Sequence, residues 1–251
     1  MKGYDIEGFK TAVRFLTIFR IGGDGGELNR ENSAAALPFF PAAGIVAGAV
    51  SAAVVIASSL FVSSTFALAA LAVAALAVAT RGLHLDGVGD CFDALHYYGD
   101  REKALSVMKD KSLGAFGAAA VAFVIAAKTV ALGSVSPESF ITALVVVPAV
   151  ARFAPALIAY MSESDSSEGL GGFFRFGGDG EILLRTAAVA FAAAFVLGGF
   201  GGAALAIVVS VAAFFLLMFF RSAFGEPTGD VHGAMIELCE VAGFIVAGKM
   251  L

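Results

Sequence analysis

Charged residues make up only 15% of this 251-residue chain, against 59% hydrophobic ones, and the mean hydropathy is +0.89. So little charge cannot cover a soluble surface of that size, and the composition reads as an integral membrane protein. Cysteine occurs twice, at Cys91 and Cys239, too few and too dispersed for a disulfide framework or a thiolate metal site, so both read as small buried hydrophobes. The net charge of −5 comes without any basic block, which argues against a nucleic-acid partner. A phosphate-bearing substrate would therefore need metal ions or a few local cations to be held. The start, MKGYDIEGFK, is too polar for a secretory leader, and the first long apolar run begins only near Ala34.

What is present is a series of apolar runs, near residues 35–57, 60–80, 114–133, 139–160, 183–199, 202–220 and 232–248. At roughly 20 residues per span they predict an all-α, polytopic membrane bundle of about seven spans in a single domain, residues 1–251. Within it, residues 1–33 are expected to form a cytoplasmic amphipathic helix and loop, and residues 34–251 the helical bundle. Phe9, Ala12, Val13, Leu16 and Phe19 recur at helical spacing among Lys10, Arg14 and Arg20, as in a helix lying on the membrane surface or against the bundle. Pro38, Pro41, Pro148 and Pro155 fall in or near the runs, where they kink a span without ending it. Basic residues gather in the N-terminal segment and in the 81–112 and 161–182 connections, while the turns near 58–59, 134–138 and 200–201 hold none. The positive-inside rule then puts the N-terminus and the basic connections in the cytoplasm. The echo of RIGGDGGE at 20–27 in RFGGDGE at 175–181 is read as convergent turn composition.

Polar chemistry concentrates in three stretches on that side. The first is His84-x-Asp86-Gly87-x-x-Asp90-x-x-Asp93. At about 100° per residue on a helix, the three aspartates share one narrow face. Carboxylates so placed repel one another unless protons or cations neutralise them, and one or two Mg²⁺ ions bridged by Asp90 suit their spacing. Gly87 and Gly89 weaken such a helix, and a backbone left bare for ligand approach would account for them. The second stretch, Met108 to Gly114, offers Asp110 to complete the metal shell and Lys109 or Lys111 to neutralise a phosphate. The third, Gly225 to Gly233, leads into Glu237 and Glu240; Thr228, Gly229 and Asp230 open the last helix, where free N–H groups favour an anion. Arg152 lies within a span and can reach a phosphate, whereas Lys128 is expected to snorkel toward the outer end of its own.

These stretches together resemble the cobalamin (5′-phosphate) synthase family, whose segments read His-x-Asp-Gly-x-x-Asp-x-x-Asp, Met-Arg/Lys-Asp-Ser-Arg-x-Gly and Gly-Gly-x-Thr-Gly-Asp-x-x-Gly-Ala. Here they stand as HLDGVGDCFDA, MKDKSLGAFG and GEPTGDVHGAMIELCE. Phe15-Leu16-Thr17, Phe40-Pro41, Lys128, Arg152 and Glu168-Gly169-Leu170-Gly171 extend the similarity over almost the whole chain. Gly89, Ala94 and Glu226-Pro227 depart from it, and Lys111-Ser112 replaces the usual Ser-Arg.

The resemblance implies an adenosylcobinamide-GDP ribazoletransferase: adenosylcobinamide-GDP and α-ribazole, or its 5′-phosphate, give adenosylcobalamin or its 5′-phosphate and GMP. On that reading Mg²⁺ is the cofactor, held by Asp86, Asp90, Asp93 and Asp110. Asp93 is the expected general base with Asp90 beside it, and His84 orients a ligand. Lys109, Lys111, Arg152, Thr228, Gly229 and Asp230 bind substrate. The partners are those small molecules and membrane lipid, with no nucleic acid and with a homo-oligomer left open. The location implied is the cytoplasmic (inner) membrane, multi-pass, with the active site facing the cytoplasm. Two other readings use clustered carboxylates in a membrane. A CDP-alcohol phosphatidyltransferase-like enzyme would need an Asp-Gly-x-x-Ala-Arg pattern that Asp90 and Phe92 interrupt, and a cation-coupled transporter would be expected to show two similar halves.

Overall fold

The computed structural model describes residues 2–22, 30–110, 112–162 and 179–251. Among them are helices α1 (Lys2–Leu16), α2 (Arg30–Ala36), α3 (Phe40–Ser58), α4 (Thr65–Ala79), α5 (Leu83–Leu95) and α6 (Arg101–Met108). They are followed by α7 (Ala115–Gly133), α8 (Pro137–Ala151), α9 (Ala154–Met161), α10 (Gly180–Phe224) and α11 (Gly229–Met250), with no strand among the described residues. Five helical stretches are long and apolar enough to cross a membrane, or six if α4 and α5, bent by 92° at their junction, count as one. Large apolar side chains point outward, Phe123 at 71% and Val196 at 79% exposure, as lipid-facing positions do.

The count differs from seven because two of the runs are joined. The 45-residue α10 is about twice the length one bilayer crossing needs. It breaks at Gly199, whose φ of 59° is left-handed. A Cβ at Gly202 would overlap the carbonyl oxygen of Ala194, eight positions earlier. In a straight helix those residues are about 12 Å apart along the axis, so α10 folds back on itself as a hairpin.

Elsewhere small residues let helices close up where lipid gives no hydrophobic drive between them. Gly44 and Gly48 bring α3 against the carbonyls of Pro148 and Leu144 on α8, and Ser51 donates to the Ala72 carbonyl of α4 at 2.8 Å. Pro155, at the start of α9, lacks an N–H to continue the ladder of α8, and the Pro148 carbonyl near the end of α8 accepts from the Arg152 guanidinium at 2.6 Å. Helix α1 lies against the bundle: Ala12, Val13 and Leu16 are buried with Leu37, Phe40 and Ala43. Its end also braces the α4–α5 corner. Arg81, with a φ of 58°, donates through its guanidinium to the Phe15 carbonyl at 2.9 Å, and the Ile18 amide donates to Ala79 at 2.8 Å.

Candidate active site

Helix α5 turns off α4 through Arg81 and Gly82, both left-handed. It presents two unlike faces. Val88, Cys91 and Ala94 pack into the bundle core with His84, while Asp86 is exposed and Asp90 and Asp93 are half-buried on the other side. The one-faced aspartate trio expected from spacing is therefore present. Its glycines have a different purpose from the one expected. A Cβ at Gly87 would overlap the Asp230 carbonyl of α11, and one at Gly89 would come within 2.8 Å of Leu113. They are bare so that helix can approach helix, and the approach carries Asp230 to the aspartates. Asp90 feels the negative charges of Asp230, Asp86 and Asp93, and Asp230 feels that of Asp86.

The second stretch reaches the same place through Asp93. Its carboxylate accepts from the backbone N–H of Gly114 at 2.6 Å and of Gly117 at 2.7 Å. It thus satisfies free donors at the start of α7 where a negative charge is favoured. Both partners are glycines because a Cβ on either would run into the Asp93 carboxylate. Lys109 ends α6 with its side chain exposed, and Asp110 accepts from the Ser112 amide at 3.1 Å; Lys111 lies outside the described residues. The third stretch joins at Thr228, whose hydroxyl lies 3.5 Å from Asp230 Oδ2 and 3.7 Å from Met108 Sδ. Thr228 occupies the N-cap position of α11 without a side-chain cap bond, and Gly229 opens the helix. Beside Asp93 a cavity of about 290 Å³ opens between His96, Tyr97, Asp110, Ser112 and Phe116.

Behind this face lies a buried ionic cluster. Lys128 of α7 bridges Glu237 and Glu240 of α11, at 2.5 Å each, and Glu240 also takes Arg152 at 2.7 Å. Lys128 is thus no snorkelling residue; two carboxylates of α11 offset its burial and draw it inward. Arg152 faces Glu240 inside the bundle, 1% exposed. His84 lies on the core side of α5, also 1% exposed, with both ring nitrogens lacking hydrogen-bond partners and Nδ1 3.9 Å from Glu237. It is therefore not at the open face with Asp86.

The model of one protein family, described as cobalamin-5-phosphate synthase, matches residues 8–248, which include all three stretches and the buried cluster. The chain belongs to the cobalamin-5-phosphate synthase family. A protein of Syntrophobacter fumaroxidans named adenosylcobinamide-GDP ribazoletransferase is 37% identical over 237 residues, 93% of this chain and 94% of its own length. One of Escherichia coli (strain K12 / DH10B) with the same name is 36% identical over 171 residues, 67% of this chain and 69% of its own. No solved structure matches the chain. As a member of this family the synthase is a membrane-embedded transferase of cobalamin biosynthesis.

Of the expected site residues, Asp86, Asp90, Asp93, Thr228, Gly229 and Asp230 come together in the synthase, with Asp110 across the cavity and Arg152 and His84 behind. Among the described residues no three His, Cys, Asp or Glu side chains stand together so as to hold a metal ion. One reason is visible at Asp93, whose oxygens are engaged by backbone amides. The donor set still fits a hard divalent cation in its chemistry: all are oxygens, and Asp86, Asp90 and Asp230 repel one another with, among the described residues, no cationic side chain hydrogen-bonded or ion-paired to them. Sequence reading gave no role to His96, Tyr97 and Phe116.

Proposed function

We propose that the synthase transfers the phosphate-linked cobinamide of adenosylcobinamide-GDP to α-ribazole or its 5′-phosphate at the aspartate face of α5. The observation that carries this reading is the convergence of Asp86, Asp90 and Asp93 with Asp230 across the Gly87 contact. The 3′-hydroxyl of the ribazole attacks the phosphorus that bears the cobinamide. A new P–O bond forms, the P–O bond to GMP breaks with its electron pair leaving on GMP, and the hydroxyl proton goes to a carboxylate. Asp90 is the better placed base, because Asp93 already accepts two amide hydrogens. Asp86, Asp90 and Asp230 are the residues that would hold Mg²⁺, which when bound offsets the negative charge of the pyrophosphate and of the leaving GMP. Asp93 holds Gly114 and Gly117 at the start of α7, and Lys109, exposed at the end of α6, supplies local positive charge for a phosphate. The buried cluster holds α7, α8 and α11 in register beneath.

An amphipathic corrinoid suits a face at the end of a membrane bundle. With basic connections inside, this face opens to the cytoplasm from the inner membrane. The deciding measurement is GMP release by the purified protein in detergent, given adenosylcobinamide-GDP, α-ribazole 5′-phosphate and Mg²⁺. Release that requires both substrates, stops with chelator and is lost in Asp90→Asn supports the reading. Absence of GMP, or release indifferent to chelator and to that variant, overturns it, and CMP release from a CDP-alcohol would favour a phosphatidyltransferase instead.

A further inference from the structure

The cavity beside Asp93 has a lining that the transfer chemistry leaves unused. Tyr97 and Phe116 are 37% and 52% exposed, large apolar rings left open at the edge of a polar site. His96 and Tyr97 meet edge to face with centroids 5.1 Å apart, and Phe116 is steadied the same way by Phe92 at 5.9 Å. Such rings offer faces on which a flat heterocycle stacks. The cavity has room for one flat heterocycle.

Which heterocycle is decided by the carboxylates. Asp93 has both oxygens on backbone N–H groups. Asp110 accepts from the Ser112 amide through Oδ1, and among the described residues no group is bonded to its Oδ2. A carboxylate can only accept, so it selects a ring edge that donates. Guanine presents N1–H and the 2-amino group side by side, a pair of donors that Asp110 can meet with Oδ2 and the second lone pair of Oδ1. Adenine sets a donor beside an acceptor, and the benzimidazole of α-ribazole has no N–H at all. Asp93 also follows Asp90 by about 4.5 Å along the helix axis, so a base held here leaves its phosphates within reach of the aspartates.

We propose that this cavity is the guanine subsite of the synthase, with Asp110 accepting from the guanine N–H edge and Tyr97 and Phe116 stacking on its face. The inference rests on the transfer reaction proposed above and names where the leaving nucleotide is recognised. It is tested by calorimetric binding of GMP, IMP and AMP to the full-length protein in detergent and Mg²⁺, for the wild type, Asp110→Ala, Asp110→Asn and Tyr97→Leu. The wild type should prefer GMP over IMP, which lacks the 2-amino group, by about tenfold or more. Both Asp110 variants should bring that ratio toward one, and Tyr97→Leu should weaken GMP and IMP alike and spare the ratio. Absence of GMP binding, an unchanged ratio in both Asp110 variants, or displacement of GMP by α-ribazole overturns the subsite. Turnover of adenosylcobinamide-GDP is measured in parallel. Normal turnover with an unchanged ratio removes the subsite alone, whereas a GMP preference tied to Asp110 without turnover upholds the subsite and removes the reaction. Thiol accessibility of the buried Cys91 and Cys239 reports in each variant whether the fold is intact.

Discussion

The carbonyl oxygen of Asp230 lies against the backbone of Gly87, so close that a Cβ at Gly87 would overlap it. This contact sets the separation of α5 and α11 and brings Asp230 to the face of Asp86 and Asp90. In an isolated helix Gly→Ala is favourable by up to about 1 kcal/mol. Here Gly87→Ala should reverse that sign and destabilise the protein by about 1–3 kcal/mol through overpacking. Maleimide labelling of the buried Cys91 and Cys239 during heating measures it, and GMP release should fall with it.

Asp93 and Asp90 share a face yet should respond differently to the same substitution. Asp90→Asn is expected to abolish GMP release with little change in melting temperature. Asp93→Asn turns an amide N–H₂ toward a backbone N–H and loses one hydrogen bond at the start of α7. It should cost about 1–3 kcal/mol of stability and raise KM, while leaving measurable kcat. Equal losses of kcat in the two variants would contradict this division of roles.

Lys128 bridges two carboxylates deep in the bundle, so Lys128→Met should leave Glu237 without its cation. A loss of about 3–5 kcal/mol is expected for breaking one side of a buried pair. Adding Glu237→Gln keeps the Arg152–Glu240 pair and should recover much of the loss, which a double-mutant cycle on the melting transition tests.

The proposed Mg²⁺ site makes metal dependence the next expected outcome. Treatment with chelator should stop GMP release and added Mg²⁺ should restore it. Asp86→Asn should raise the Mg²⁺ concentration for half-maximal rate, and Asp110→Asn should leave it unchanged. The rate as a function of free Mg²⁺ distinguishes the two.

The hairpin of α10 makes a prediction about folding. Gly199 adopts a φ of 59° and Gly202 packs on the Ala194 carbonyl. Gly202→Leu should prevent the fold-back and lower the yield of protein extractable in mild detergent, whereas Leu197→Ala, at a half-exposed apolar position, should not.

Much of the site was legible because its signals are local. The aspartates at 86, 90 and 93 announce one helical face by spacing alone, and the left-handed break near 199 was marked by a cluster of glycines. What was not legible was the partner of each charge. Nothing near Lys128 in sequence shows that Glu237 and Glu240, over 100 positions away, will receive it. The same holds for Asp93, which spacing offers as a metal ligand and which folding gives to two amides of α7. The glycine explanation failed for a related reason: a missing side chain marks a close approach without saying what approaches. The loop with Glu168 and Arg175, and both glycine-rich echo segments for most of their length, lie outside the described residues.

By itself the sequence determined a helical membrane protein, its family, and the end of the bundle where the polar chemistry gathers, because hydropathy and motif spacing are properties of contiguous residues. Only the tertiary structure decided which partner each carboxylate meets. Asp93 is drawn to the start of α7, Asp230 is carried to Asp90 by a glycine contact, and Asp110 is left facing the cavity. Those placements depend on distances between helices, which the packing of small residues sets and which no stretch of chain encodes alone.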